Sequence, residues 1–383
     1  MDQYQYFMYR MKIPEADYFS YAIPAVLVFI IGLHIRSGNN RGEIIDQKKI
    51  KVFVSRNPLL PNWLIGIGFA SGAISNFFPA EIKFVFYLLS SFKFIGLYLI
   101  ILGEKNIRPL ILVLVIGSII VSSLQEAMFH DLLTWTIYTS AIFGIKYKFS
   151  FNFKLIGLSV FFVIVVIIQL MKSELRSADK NSDKSGVDRF GKVFKEKNEK
   201  GDFLNFEKLA ESVVRINQGF IVSNIMNRVP ETIDFANGEE LYLILESAFM
   251  PRFLAPNKLT AGNRDLFVKY SGVAIKEGTS MGLSSLGDAY INFGIFGGSI
   301  FMFVLGFFYS EVLNYIHKQS YEFPILILFV CMLFFYPIRP DCEFQTILGH
   351  LIKGLILVFA ILNIWKSTFK VYMPSVGRRQ LAS

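Results

Sequence analysis

A chain of 383 residues that is 53% hydrophobic, with a mean hydropathy of +0.46, is too apolar for a soluble domain of that length. Its formal charge of +9 and pI near 9.3 come with no nucleic-acid-binding motif, which argues against a nucleic-acid partner. Cys331 and Cys342 are its only cysteines, so a disulfide framework or a cysteine metal site does not organise the fold.

The apolar residues fall in blocks, each near the roughly 20 residues that cross about 30 Å of hydrocarbon. In chain order these are 18–35, 63–79, 82–102, 109–123, 132–145, 153–170, 293–313, 324–336 and 344–365, with the fourth, fifth and eighth short for a crossing. The pattern predicts an all-α, polytopic transmembrane bundle of about nine helices. Around the first block lie Asp2, Glu15 and Asp17, and no small-residue cleavage site follows it, so it reads as a retained helix and not a signal peptide.

Short cytoplasmic loops collect Lys and Arg, whereas long loops translocate regardless of charge. With the amino terminus outside, the inner loops and tail hold most of the short-loop cations, among them Arg36, Arg41, Lys48, Lys49, Lys51, Arg56, Lys105 and Arg108. The outer short segments hold only Arg10, Lys12, Lys83 and Arg339. The expected topology is therefore amino terminus out and carboxyl terminus in. It divides the chain into transmembrane helices over 1–171, a large outer loop over 172–292, and further helices plus an inner tail over 293–383. The loop itself is charge-neutral, so the excess charge lies outside it.

Within the loop, 172–201 is polar and reads as a solvated segment. Phe203, Phe206, Leu209, Ala210, Val213, Val214, Phe220 and Ile221 then recur at helical spacing, predicting an amphipathic surface helix over 203–229 with Asp202 as its cap. Arg215 and Gln218 share one face of it. Pro230 ends the pattern, and 238–250 predicts a second helix carrying Glu246. Two prolines keep 251–258 extended, with Arg252 and Lys258. The run 278–298 is rich in Gly and Ser, which allow close backbone approach, and it carries Asp288, Tyr290 and Asn292 into the seventh block.

Three stretches, RINQGFIVSNIMNRVPETIDFANGEE, ESAFMPRFLAPNK and GTSMGLSSLGDAYINFG, together with the many-helix layout, resemble the Wzy-type oligosaccharide repeat-unit polymerases of bacterial surface polysaccharide synthesis. The resemblance is strongest over about 205–310. It implies a metal-independent, cofactor-free glycosyltransferase of the GT-C type in the bacterial inner membrane. Such an enzyme moves a sugar chain from one undecaprenyl diphosphate to a repeat unit on a second, at the periplasmic face. It also implies membrane lipid, a repeat-unit flippase and a chain-length regulator as partners.

That reaction builds negative charge on a leaving diphosphate, which cations must meet. The planar fork of arginine suits this, so Arg215 and Arg252 are the first candidates, with Lys258 in support and Arg339, beside Asp341, as a further one. The acceptor hydroxyl needs a base, for which Asp288 and Glu246 are candidates in the loop, and His130 and Glu126 at outer helix ends. Asn217, Gln218 and Tyr290 are candidates to bind sugar hydroxyls. Each has a plain structural alternative. Arg215 follows Glu211 by four residues, a common surface pair. Arg252 can anchor on lipid phosphate, Lys258 can be a solvated lysine, and Asp288 can simply cap a helix. Lys93 and Lys353 lie within apolar blocks, where a cation faces a cavity or snorkels. An O-antigen ligase shares the donor chemistry, and a polysaccharide flippase would show internal repeats and broken helices in matching positions.

Overall fold

The computed structural model describes residues 9–36, 45–177, 186–205, 219–250, 258–259, 262–275 and 281–370. The described residues are helical with no strand. Among the described residues, six helices are long and apolar enough to cross a membrane: Glu15–His34, Ile82–Gly103, Pro109–Glu126, Phe151–Met171, Ser284–Ser320 and Phe344–Ile364. The expected blocks at 63–79, 132–145 and 324–336 fall short of that standard. The last of these holds only the eight-residue helix Leu326–Leu333.

The chain divides into two compact units. The first comprises Met1–Val28, Arg108–Met302 and Arg339–Leu348. Its helices are the start of α1 (Glu15–His34), α6 (Pro109–Glu126), α7 (His130–Tyr147), α8 (Phe151–Ser177), α9 (Gly186–Glu199), α10 (Gly219–Arg228), α11 (Glu239–Phe249), α12 (Arg264–Ser271), and the first parts of α13 (Ser284–Ser320) and α15 (Phe344–Ile364). Pro109 opens α6, where its missing N–H costs nothing, and Ala127 closes it in the left-handed region with its N–H on the Ser123 carbonyl.

The polar stretch after 172 departs from the solvated reading. Helix α8 runs on to Ser177, and 186–199 folds as the amphipathic α9 packed on α6 and α8. Val193 of α9 joins Ala127, Phe129, Ile168, Met171 and Leu175 in a buried cluster, with Phe190 and Phe203 at its edge. A few large apolar residues at helical spacing suffice to seat a short helix when a neighbouring surface is ready to receive them. Gly186 permits the close approach, since a Cβ there would lie 2.7 Å from the Gln125 nitrogen. The cap assignment for Asp202 is also corrected: Asp202–Leu204 is a single 3-10 turn and Asn205 is extended, so no helix starts at 203. The Asp202 carboxylate instead meets Lys197 Nζ at 3.0 Å, both side chains being under a tenth exposed. Lys197→Ala leaves a buried carboxylate without its cation and is expected to cost about 3–5 kcal/mol, whereas Lys197→Met with Asp202→Leu is expected to be near neutral. Thermal midpoints of the detergent-solubilised single and double variants check this.

The second unit comprises Phe29–Ile107, Phe303–Ile338 and Gly349–Ser383. It holds α2 (Gln47–Arg56), α3 (Leu60–Ile74), α4 (Ala80–Ser90), α5 (Phe92–Gly103) and α14 (Leu326–Leu333). Helix α5 is its core: Phe92 and every residue from Phe94 to Leu102 are buried. Glycines set the helix crossings. Gly96 of α5 faces the Pro61 carbonyl, where an added Cβ would stand 2.5 Å away, and Gly68 of α3 abuts the Lys93 backbone. Gly32 lies against the Phe303 backbone and Gly306 against that of Phe29, a reciprocal contact between the end of α1 and the middle of α13. In hydrocarbon, where helices gain little by hiding apolar surface from one another, such small-residue contacts carry the packing.

Candidate functional site

The described part of the Gly/Ser run, 281–298, and the segment 339–344 converge in the first unit. Gly282 permits this, because a Cβ on it would lie 2.6 Å from the Asp341 carbonyl and 3.0 Å from the Glu343 nitrogen. Asp288, one turn into α13, then reaches the start of α15, and its Oδ2 accepts the Phe344 N–H at 2.7 Å. That N–H belongs to the first turn of α15 and has no partner within its own helix. Asp288 thus caps a different helix from its own, and it is buried. Glu343 sits beside it. One Glu343 oxygen accepts from the Gly262 N–H at 2.5 Å and from the Thr346 hydroxyl at 3.0 Å. Burial raises the Glu343 carboxyl above its ordinary value, against the opposing pull of those two donors.

Arg339 presents its fork to Asp341, with Nη2 at 2.9 Å and Nε at 3.3 Å. Burial alone would raise the Asp341 carboxyl. The Arg339 hydrogen bonds and charge, with His130 adding to them, hold it below the ordinary value. The sign follows directly. This pair stabilises the fold above the ordinary aspartate pKa of 3.8 and loses that contribution as pH falls through the lowered value. Arg339→Ala is expected to remove this acid-side dependence, measured as the midpoint of unfolding against pH.

Helix α13 is broken ten residues on. Gly294 has φ +64° and ψ −160°, a conformation open to glycine. The Phe235 ring covers it, 3.2 Å from where a Cβ would stand. The break is stitched to the loop before α11 and to the first turn of α11: Ala236 N–H donates to the Ile291 carbonyl at 2.9 Å, and Leu241 N–H donates to Asn292 Oδ1 at 3.2 Å. Asn292 Nδ2 donates in turn to the Asp288 carbonyl. On α11, Glu240 Oε1 accepts from Lys269 Nζ at 2.9 Å and Tyr270 OH at 2.8 Å, while its Oε2 is buried with no hydrogen-bond partner among the described residues. Asp288, Glu343 and Glu240 are near enough to act on one another electrostatically.

The sequence-predicted residues fare differently. Asp288 meets Phe344 in the same segment that holds the Arg339–Asp341 pair, and His130 acts electrostatically on Asp341. Tyr290 is buried, its hydroxyl donates to the Val229 carbonyl at 3.2 Å, and its ring packs against Tyr21 and Phe235. Lys258 Nζ donates to the carbonyls of Ser247 and Met250, which ties down the carboxyl end of α11. Glu246 is half-buried on α11. Arg215, Asn217, Gln218 and Arg252 lie outside the described residues. In the second unit, Lys93 Nζ stands 5.3 Å from the Phe69 ring centre and Lys353 Nζ 4.6 Å from that of Phe84.

Sequence reasoning missed Glu240, Glu343 and the bracing role of Asn292. A carboxylate immediately before an apolar block marks Glu343, and the pair after Gly238 marks Glu240, but neither pattern says what it meets. No group of three or more His, Cys, Asp or Glu among the described residues is arranged to hold a metal ion. No protein-family profile, curated protein or solved structure matches the chain.

Proposed function

We propose that this chain is a GT-C-like polymerase of undecaprenyl-diphosphate-linked oligosaccharide repeat units in the bacterial inner membrane, with its site at the periplasmic face. The observation that carries this reading is the gathering of Asp288, Glu343, Arg339 and His130 around residues 281–294, the described part of one of the three stretches on which the family resemblance rests. Carboxylates buried close together are costly to hold in the charged form, so such a group is a functional candidate as well as a structural one.

In the reaction, the acceptor hydroxyl oxygen bonds to the anomeric carbon of the donor chain. The bond from that carbon to the diphosphate oxygen breaks, and its electron pair leaves with undecaprenyl diphosphate. The hydroxyl proton passes to a carboxylate, for which Asp288 is the first candidate and Glu240 the second. Arg215 and Arg252 neutralise the leaving diphosphate, with Lys258 behind them. Both donor nitrogens of Arg339 nearest its carboxylate partner are engaged by Asp341, which suits Arg339 to fixing the 339–344 segment.

The test is complementation. Arg252→Ala is placed in a strain lacking its own copy, and long-chain surface polysaccharide is assayed. The expected result is loss of long chains with single repeat units still exported; normal chains at normal expression overturn the role of Arg252. The break at Gly294 favours a second reading, a flippase, because transporters build sites on discontinuous helices. A flippase variant would instead leave lipid-linked repeat units on the cytoplasmic face.

A further inference from the structure

The geometry points to a second ligand site: we propose that the groove between α6 and α7 holds an acyl chain of an anionic phospholipid whose phosphate rests on Arg108, Lys146 and Lys148. The two helices form an antiparallel hairpin. Leu112, Ile116 and Ile120 of α6 face Phe143, Ser140 and Thr136 of α7 across a cavity of about 480 Å³. At its floor is Gly117, where an added Cβ would meet nothing within 4 Å. The Thr136 hydroxyl donates to the Leu132 carbonyl of its own helix, which leaves the groove mostly apolar along that stretch. Helix α6 is one of the six apolar helices and exposes Leu110, Val113 and Leu114, so hydrocarbon surrounds the mouth of the groove.

Charge decides which lipid. From Arg108 to Lys154 the only acidic residues are Glu126 and Asp131, both at the turn between the helices. At the other end lie Arg108, which precedes α6, and Lys146 and Lys148, which close α7. Arg108 is four residues from Leu112, about 6 Å along a helix, and Lys146 is three from Phe143, about 4.5 Å. The groove therefore opens among cations. The ring ladder Phe143, Tyr147, Phe149 and Phe153 runs past the same end, with centres 4.4–6.2 Å apart. Tyr and Trp gather at the headgroup level of a bilayer, and Tyr147 stands in the ladder at that end. An apolar slot that ends in cations at that level fits a phosphate-headed lipid. The excess of Lys and Arg assigns this end to the cytoplasmic leaflet, opposite the face at which sugar chains are joined, so the lipid is not the substrate and the proposal stands apart from the enzymatic reading.

The test reconstitutes the full chain in nanodiscs of mixed phosphatidylglycerol and phosphatidylcholine, extracts it, and counts retained lipid by native mass spectrometry. Preferential retention of phosphatidylglycerol is expected. It should fall about fivefold for each cation removed in Arg108→Gln, Lys146→Gln and Lys148→Gln, and persist in Lys146→Arg with Lys148→Arg. Gly117→Phe fills the groove with the charges intact and is expected to abolish retention. Equal retention of the two lipids, an unchanged preference in the triple glutamine variant, or full retention by Gly117→Phe overturns the proposal. So does preferential retention of undecaprenyl phosphate, or a lipid-free dimer that Gly117→Phe dissociates.

Discussion

Asp288→Asn is expected to keep the fold and lose chain extension. Asparagine retains an oxygen that accepts the Phe344 N–H, so the start of α15 stays capped. It cannot take a proton from an acceptor hydroxyl, and removal of a general base costs about 10²–10⁴-fold in rate. Asp288→Ala loses both properties and is expected to lower stability by about 1–2 kcal/mol as well. The two variants separate the observed capping role of this carboxylate from the proposed base role. Thermal midpoints report the cap, and chain length of the surface polysaccharide reports the chemistry. Wild-type chains from Asp288→Asn would leave Asp288 a cap and pass the base role to Glu240, whose second oxygen is already buried and unpaired among the described residues.

Gly306→Val is expected to have the largest effect on the fold. A Cβ at Gly306 runs into the Phe29 carbonyl oxygen, and one at Gly32 into that of Phe303. Backbone cannot swing aside as a flexible side chain can, so the cost lies at or beyond the upper end of the roughly 1–3 kcal/mol typical of overpacking. Gly66→Ala is the matched control in the same unit. Nothing stands within 4 Å of a Cβ there, and alanine in a helix gains about 0.5–1 kcal/mol over glycine. Opposite shifts of the unfolding midpoint, downward for Gly306→Val and upward for Gly66→Ala, are the expected result. A downward shift for both would mean that glycine matters here for helix flexibility and not for close approach.

The all-helical, membrane-spanning character was legible in the sequence, because an apolar window of about 20 residues is a local property. Blocks such as 109–123 and 344–365 reappear almost unchanged as Pro109–Glu126 and Phe344–Ile364. The segment 172–201 was misread for the complementary reason. Its average polarity is high, and among its described residues only Leu175, Phe190 and Val193 tie it to the buried cluster. Whether so few contacts hold a helix depends on the surface offered by α6 and α8, which no window over 172–201 contains.

The candidate site divides along the same line. Asp288 stood out in the sequence as a carboxylate in a Gly/Ser run, and a capping role was foreseen for it. That it caps α15, 56 residues away, follows from Gly282 letting two backbones touch. Lys258 and Tyr290 were marked for ligand binding by residue type, yet each directs its polar atoms to backbone carbonyls. By itself the sequence determined the apolar surroundings of this protein and where its membrane-length helices lie, because hydrophobicity acts through each stretch of chain separately. Only the tertiary structure decided which polar group answers which, since a hydrogen bond at membrane depth goes to whatever partner the packing brings within 3 Å.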